Sequence, residues 1–475
     1  MRFAALAFCL WCCLPGLGHA RDFPPEVLPA KPLVIPAPVM RTLPNGLEVL
    51  LVERHTLPLV TLRLAVRSGP ECDPPALPGA AALVNGLLTE GTTRRSAQQI
   101  AEAIDSAGGL VENDAGWDES YLSLSVPSDQ ARLAFDLVGD MVMHPAFLPA
   151  EIERQRRQTL SSLEVVYDDP AYLADTVFQE AAFAGTAYGH PEDGTPRSVA
   201  GITAGDLRSF HALYYQPRNS ILTVAGDISA TEAWGNAGEF FSSWQNTEEL
   251  PAPPTVHPTS FARRRLLILD KPAAVQTEIR IGGAAVPRAH PDYLALSLVN
   301  EILGGPAENR LFKALRTQQG LAYGASSELV CRRRLGAWLA KTSTRTQETA
   351  KCLRSALEQI QSLHDHPLTP QDIETAQRYL VGHLPLQFEN SEDVADRALE
   401  LLEDGLPLDY WSGYGEKVRA LTPQEVERAA QGYFDPKHDV VVLVGNASQF
   451  EKGVKKLGRP QLLSPHQVES GVLER

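Results

Sequence analysis

Residues Ile202-Thr203-Ala204-Gly205-Asp206-Leu207, continuing through Tyr215-Gln216-Pro217 to Gly226, recur as Leu421-Thr422-Pro423-Gln424-Glu425-Val426, through Phe434-Asp435-Pro436 to Gly445, with every position displaced by 219. A second pair of segments, Pro149-Ala150-Glu151-Ile152-Glu153 with Ala174-Asp175, recurs 221 residues on as Pro370-Gln371-Asp372-Ile373-Glu374 with Ala395-Asp396. A third, Leu83-Val84-Asn85-Gly86-Leu87-Leu88, returns after 215 residues as Leu298-Val299-Asn300-Glu301-Ile302-Leu303. Self-similarity at one long period means one folding programme stated twice. The small drift in displacement is a few loop residues gained or lost, which surface loops tolerate. The chain therefore forms two homologous domains, expected at 21–246 and 261–462. The Pro-rich stretch within 247–260 reads as a linker, and 463–475 as a tail.

Within each half the expected order is strands, a long helix, more strands, several helices and a last strand. Leu47 to Val52 and Leu59 to Val66 read as strands around a polar turn, Gly79 to Leu88 and Ala97 to Ala107 as helices, and Tyr121 to Val126 as an alternating strand. Thr203 and Thr422 stand as N-caps with Asp206 and Glu425 three residues on, and Pro423 takes the first helical position. Each helix ends before Pro217 or Pro436. The apolar runs Ser220 to Ala225 and Asp439 to Val444, each closed by Gly, read as buried strands. The fold class is α+β, each domain a mainly antiparallel sheet with helices on one face.

Composition narrows the function classes. The 475 residues carry 43 Lys and Arg against 58 Asp and Glu, a net charge of −15. That excess disfavours steering toward nucleic acid or an anionic bilayer. Arg2, the apolar run Phe3 to Leu17 and the small-residue exit Gly18-His19-Ala20 form a secretory leader with cleavage expected after Ala20. No other stretch approaches a membrane span, so the expected location is periplasmic or secreted. Cys72, Cys331 and Cys352 remain after the leader. They are too few and too scattered for a disulfide framework or a thiolate zinc site, although one bridge between Cys331 and Cys352 stays open. His364-Asp365-His366 reads as a solvated Pro-flanked loop and His190 as a turn-shaping residue; neither offers two helical ligands around a base.

Several signatures, each weak alone, become specific in their order and spacing: Gly108-Gly109-Leu110-Val111-Glu112-Asn113-Asp114-Ala115, His190-Pro191-Glu192-Asp193-Gly194, Tyr215-Gln216-Pro217-Arg218-Asn219 ahead of Gly226-Asp227, and Gly320-Leu321-Ala322-Tyr323-Gly324. With the internal repeat they resemble the pitrilysin/insulinase (inverzincin) family of zinc metallopeptidases, whose heteromeric member is the mitochondrial processing peptidase. The resemblance covers nearly the whole chain after the leader and implies a clam-like two-domain arrangement.

The family's inverted His-x-x-Glu-His zinc motif sits on a first-half helix between Gly and Gly-Thr. Registering Gly79 and Gly91-Thr92 on that frame puts Ala82, Asn85 and Gly86 where the two histidines and the glutamate belong. A methyl group and a hydrogen have no lone pair for Zn²⁺, and an amide is no general base. The third ligand falls near Ser162 to Glu164, and one carboxylate does not make a zinc site. No metal is therefore expected in this chain.

The second half is different. Arg310-Leu311-Phe312-Lys313-Ala314-Leu315-Arg316, followed by Gly320-Leu321-Ala322-Tyr323, resembles the family motif in which an Arg and a Tyr seven positions later assist the zinc site across a chamber. A guanidinium and a phenol O–H both donate to a carbonyl gaining negative charge. The segment Asn113, Asp114, Ala115 matches the family's peptide-binding edge strand. The resemblance thus implies a non-catalytic subunit of a heterodimeric zinc endopeptidase, inactive alone, with zinc in a homologous partner subunit and Arg316 and Tyr323 turned to its peptide substrate. The alternative is a peptide- or protein-binding pseudoprotease acting as scaffold or chaperone.

Overall fold

The computed structural model describes residues 38–252, 256, 263–306 and 309–469. The expected leader at 1–20, part of the linker and the end of the tail lie outside the described residues. The first half runs β1 (Val39–Thr42), β2 (Glu48–Glu53), β3 (Leu59–Val66), α1 (Ala80–Leu87), α2 (Ala97–Ser106), β4 (Leu110–Gly116), β5 (Glu119–Pro127), α3 (Ala131–Met143), α4 (Pro149–Val166), α5 (Pro170–Ala182), α6 (Pro196–Gly201), α7 (Ala204–Tyr214), β6 (Ser220–Gly226) and α8 (Ala230–Phe241). The second runs β7 (Arg265–Asp270), β8 (Gln276–Ala285), α9 (Tyr293–Gly304), α10 (Arg310–Phe312), β9 (Ala322–Cys331), β10 (Gly336–Arg345), α11 (Thr349–Asp365), α12 (Pro370–His383), α13 (Ser391–Glu403), α14 (Tyr414–Ala420), α15 (Pro423–Tyr433), β11 (Val440–Gly445), α16 (Ala447–Val454), β12 (Pro460–Leu463) and α17 (Pro465–Glu469).

The repeated programme gives repeated topology. One six-stranded sheet has the order β1-β2-β6-β3-β5-β4 and the other β12-β7-β11-β8-β10-β9. Five strands superpose in role: β2 and β7 run parallel to β6 and β11, and the remaining three pairings are antiparallel. Only the added outer strand differs, β1 being antiparallel to β2 while β12 is parallel to β7. Both threonine caps form as expected: the Thr203 and Thr422 side chains accept from the Asp206 and Glu425 backbone N–H, and those carboxylates return to the cap. Each box stabilises its helix by about 1 kcal/mol.

Every residue of β6 and β11 is buried, which a sheet covered on one face would not require. The cover on the second face is exchanged between halves. Helix α5 of the first half lies against β8 and β11, and its counterpart α13 of the second half lies against β2 and β6. Strand alternation separates the two faces. Val440, Val442 and Val444 pack with Val177, Phe178 and Ala181 of α5, whereas Leu50, Ala65 and Ile221 pack with Ala398 and Leu399 of α13. Gly282 makes room for this contact, since a Cβ there would stand 2.6 Å from the Phe178 ring.

Each exchanged helix also carries an aspartate to an arginine of the opposite sheet. Arg280 Nε donates to Asp175 at 2.6 Å, and Arg63 Nη1 donates to Asp396 at 2.5 Å. These are the Ala-Asp dipeptides of the second repeat, so the internal similarity records a reciprocal clasp between the halves.

One local reading changes, and two details are added. His364 and Asp365 belong to the last turn of α11, and Pro367 marks where it must stop; a basic side chain there suits the helix C-terminus. Cys331 and Cys352 are both free thiols, Cys352 being fully buried within α11. Packing also runs past residue 462, for Leu463 belongs to β12 and the buried Val468 to α17. None of the described helices is long and apolar enough to cross a membrane.

Candidate functional site

Gly79 begins α1 with φ +94, a conformation glycine adopts without strain. The Asp73 carboxylate takes the N–H groups of Gly79 and Ala81 at 2.6 and 2.8 Å, supplying acceptors that the helix N-terminus lacks. Asn85, 2 % exposed, then points inward. Its amide nitrogen donates to the Tyr121 carbonyl at 3.0 Å, and Asn113 of β4 donates to both its carbonyl and its side-chain oxygen at 2.9 Å. Asn85 is thereby used to tie α1 to the edge of the sheet. At Gly86 a Cβ would stand 2.9 Å from the Gln155 amide nitrogen, so a side chain of α4 already occupies that approach.

These side chains do not fit Zn²⁺. Ala82 and Gly86 supply no donor atom, and the one oxygen of Asn85 is engaged by Asn113. Ser162 and Glu164 are exposed on α4. Among the described residues no group of three or more His, Cys, Asp or Glu side chains converges on a point.

The expected peptide strand β4 is the edge of its sheet, and among the described residues no strand pairs with its outer side. Leu110, Glu112 and Asp114 are exposed along it, while Asn113 is half-buried and Ala115 buried. Asp114 is thus presented to solvent, Asn113 serves α1, and Ala115 faces inward.

Arg316 and Tyr323 are brought together. Asn309 caps α10 by accepting from the Phe312 N–H at 2.7 Å. The chain continues as a π-helical turn, Lys313–Gln318, and Gly320 at φ +59 releases it into β9. The Arg316 guanidinium carbon then lies 4.7 Å from the Tyr323 ring centre and 4.9 Å from that of Phe312, a cation–π sandwich. Tyr323 is nevertheless 85 % exposed, so its phenol meets solvent. It borders a groove of about 470 Å³ shared with Gly305, Phe312 and Lys341, to which neither α1 nor β4 contributes. Gly304 allows a close approach of α9 to β9, since a Cβ would fall 2.1 Å from the Ser327 nitrogen.

Sequence reasoning missed the β9–β10 turn. Arg332, Arg333 and Arg334 reach from the second half into the first: Arg334 pairs with Glu71 at 2.8 Å, and the Arg333 side chain donates to the Asp118 carbonyl at 2.9 Å. Arg332 lies over the Trp117 ring at 4.9 Å. Burial, with Asp118 adding to it, pushes the Glu71 carboxyl upward. The run of three arginines was the available signal, and only the fold shows what receives it.

The α+β scaffold thus carries an exposed Arg–Tyr pair in one half and, in the other, a helix whose Ala82, Asn85 and Gly86 offer no free metal donor. Residues 48–194 match the family described as Insulinase (Peptidase family M16), and residues 201–380 match the Peptidase M16 inactive domain. The chain belongs to the insulinase family, peptidase family M16. It is 28 % identical to an uncharacterised zinc protease of Mycobacterium leprae, over 75 % of this chain and 80 % of that one. It is 23 % identical to an uncharacterised zinc protease of Bacillus subtilis, over 75 % and 86 %. Among solved structures, a peptidase M16 inactive domain from Pseudomonas fluorescens superposes with a TM-score of 0.79 at 26 % identity, over 86 % of this chain and 98 % of that one. A protease from Helicobacter pylori gives 0.78 at 19 % identity, over 87 % and 100 %, and shares the fold.

Proposed function

We propose that this protein is the non-catalytic subunit of a heterodimeric zinc-dependent endopeptidase, with Arg316 and Tyr323 presented to a peptide held at the zinc site of a homologous partner. One observation carries the reading. Ala82, Asn85 and Gly86 stand where the resemblance places the metal donors, while Arg316 and Tyr323 have the motif's spacing of seven, touch each other and are exposed. Stacking preorganises the guanidinium beside the phenol, so both donors are aimed before a carbonyl oxygen gains charge, and little reorganisation opposes the reaction. The unpaired edge of β4 supplies main-chain hydrogen-bonding groups for an extended peptide. Because such an edge needs no metal, it also supports the second reading, a peptide-binding scaffold or chaperone working without a catalytic partner. The leader motif supports a periplasmic or secreted location, where the partner would be sought.

Co-expression with a homologous subunit bearing the intact zinc motif tests the proposal. A stable complex that cleaves peptides, formed from a chain that alone cleaves none, supports it. Robust proteolysis by the isolated chain overturns it. Peptide binding by the chain with no effect on any zinc-bearing homologue favours the scaffold.

A further inference from the structure

The first half and the β9–β10 turn of the second together enclose a cavity of about 1280 Å³ that the proposed peptidase role leaves unused. Its walls come from the loop before α1, the segment leading to His190, the start of α6, residues Leu250 to Ala252, and the tip of the β9–β10 turn. Two kinds of surface meet there. Pro75, Leu77 and Pro251 contribute apolar wall, and Arg67, Arg197, Arg333 and Arg334 contribute guanidinium groups.

The charges are not balanced within the cavity. Arg67 is paired with Glu48 at 2.5 Å and Arg334 with Glu71 at 2.8 Å. The other lining carboxylate, Asp73, is taken up by the N–H groups of α1. Arg197 is exposed and makes no hydrogen bond or ion pair with the described residues. Arg333 also lines the cavity, with its Nη1 3.8 Å from Glu71 and its Nη2 donating to the Asp118 carbonyl at 2.9 Å. Arg197 is thus the lining guanidinium left to pair with an incoming anion. A concave apolar wall with a few convergent polar groups is the usual form of a small-molecule site.

We propose that this cavity binds an amphipathic monocarboxylate, with its chain on the proline- and leucine-lined wall and its carboxylate paired with Arg197. Guanidinium recognises carboxylate by paired N–H donors, and the apolar wall supplies the hydrophobic part of the affinity. An acyl chain and the C-terminal end of an apolar peptide share this chemistry. The site is separate from Arg316, Tyr323, α1 and β4, so its fate is independent of the peptidase proposal.

The test is calorimetric titration of the full chain with decanoate and with acetyl-trileucine as the free acid, beside decanol and acetyl-trileucine amide as uncharged controls. Both acids should bind at least about tenfold more tightly than their controls. Binding of one acid alone supports the site and identifies the source as acyl chain or peptide terminus. Arg197→Gln should weaken the acids about tenfold or more and leave the controls unchanged, and Ala76→Trp, at the exposed rim, should block acid binding. Far-ultraviolet circular dichroism verifies that both variants are folded. No binding of either acid, equal binding of the controls, or indifference to Arg197→Gln overturns the proposal.

Discussion

Removal of the Asp175 carboxylate tests whether the exchanged helices clasp the two halves. Arg280 is 4 % exposed, and its guanidinium is held by Asp175 at 2.6 Å, Glu278 at 2.9 Å and the carbonyls of Ile279 and Ala171 at 3.3 Å. Stranding a buried charge outright costs about 3–5 kcal/mol. Two features reduce that here: Glu278 still neutralises the cation, and the Asp175 side chain is 43 % exposed. Asp175→Ala should therefore cost about 2 kcal/mol. Asp396→Ala, at the counterpart position, should cost about 1 kcal/mol, because Arg63 is more open at 14 % and keeps Glu392 at 3.7 Å. The triple variant Asp175→Ala with Arg280→Met and Glu278→Gln should recover most of the loss, since it removes the cation together with both carboxylates that pair with it. Equilibrium urea unfolding followed by tryptophan fluorescence reads all three, with Trp338 stacked on Phe434 inside the second half as a reporter. If Asp175→Ala lies within about 0.5 kcal/mol of the parent, the clasp is an ordinary surface pair and the reasoning fails.

Three further outcomes follow from named contacts. Burial pushes the Glu180 carboxyl up to about 8, so ionising it destabilises the fold increasingly as pH rises from the unfolded-state value near 4.5 to about 8. Glu180→Gln should accordingly raise stability by roughly 2–4 kcal/mol at pH 8 and by little at pH 4.5; an equal gain at both values in paired urea titrations contradicts this. Phe178→Ala, which empties the space against Gly282, should cost about 3–5 kcal/mol in the same denaturation assay, and a loss under about 1 kcal/mol means that α5 does not anchor the second sheet. Restoring Ala82→His, Asn85→Glu and Gly86→His together should still leave zinc weakly held, because Glu164, at the place expected for the third ligand, is exposed on α4 and the bonds to Asn113 and Tyr121 are lost; tight, stoichiometric zinc after dialysis contradicts the fit argument.

Much of the fold was legible because the chain states it twice. β3 spans Leu59–Val66 as the apolar run indicates, Gly79 immediately precedes α1, and both Thr caps close as their Asp and Glu partners require. These are local effects, set by side-chain period and cap chemistry. The exchange of α5 and α13 was not legible, although its Ala-Asp dipeptides were visible as a repeat. Their arginine partners, Arg63 and Arg280, lie more than 100 residues away in sequence and become adjacent only after the sheets assemble. The unbroken apolar run Val440 to Val444 was the clue, since a strand apolar on both faces needs cover on both. At the site, the loss of metal donors at Ala82 and Gly86 follows from residue identity alone. What replaces them, the Asn113–Asn85–Tyr121 chain and Gln155 against Gly86, depends on how β4 and α4 pack on α1. The motif singled out Arg316 and Tyr323, but their mutual contact and the aromatic sandwich with Phe312 depend on the π-helical turn and so emerge only in the structure.

The most direct trial of a borrowed active site is one reconstitution in which zinc content and peptide turnover are measured on the same samples: the chain alone, the zinc-bearing homologue alone, and the two together with either the parent chain or Arg316→Ala. A borrowed site requires no stoichiometric zinc and no cleavage from the chain alone, rapid cleavage from the pair, and a loss of about tenfold to a thousandfold in turnover with Arg316→Ala while the partner's zinc stays in place. Tightly bound zinc in the isolated chain, or turnover by the pair that ignores Arg316→Ala, contradicts it.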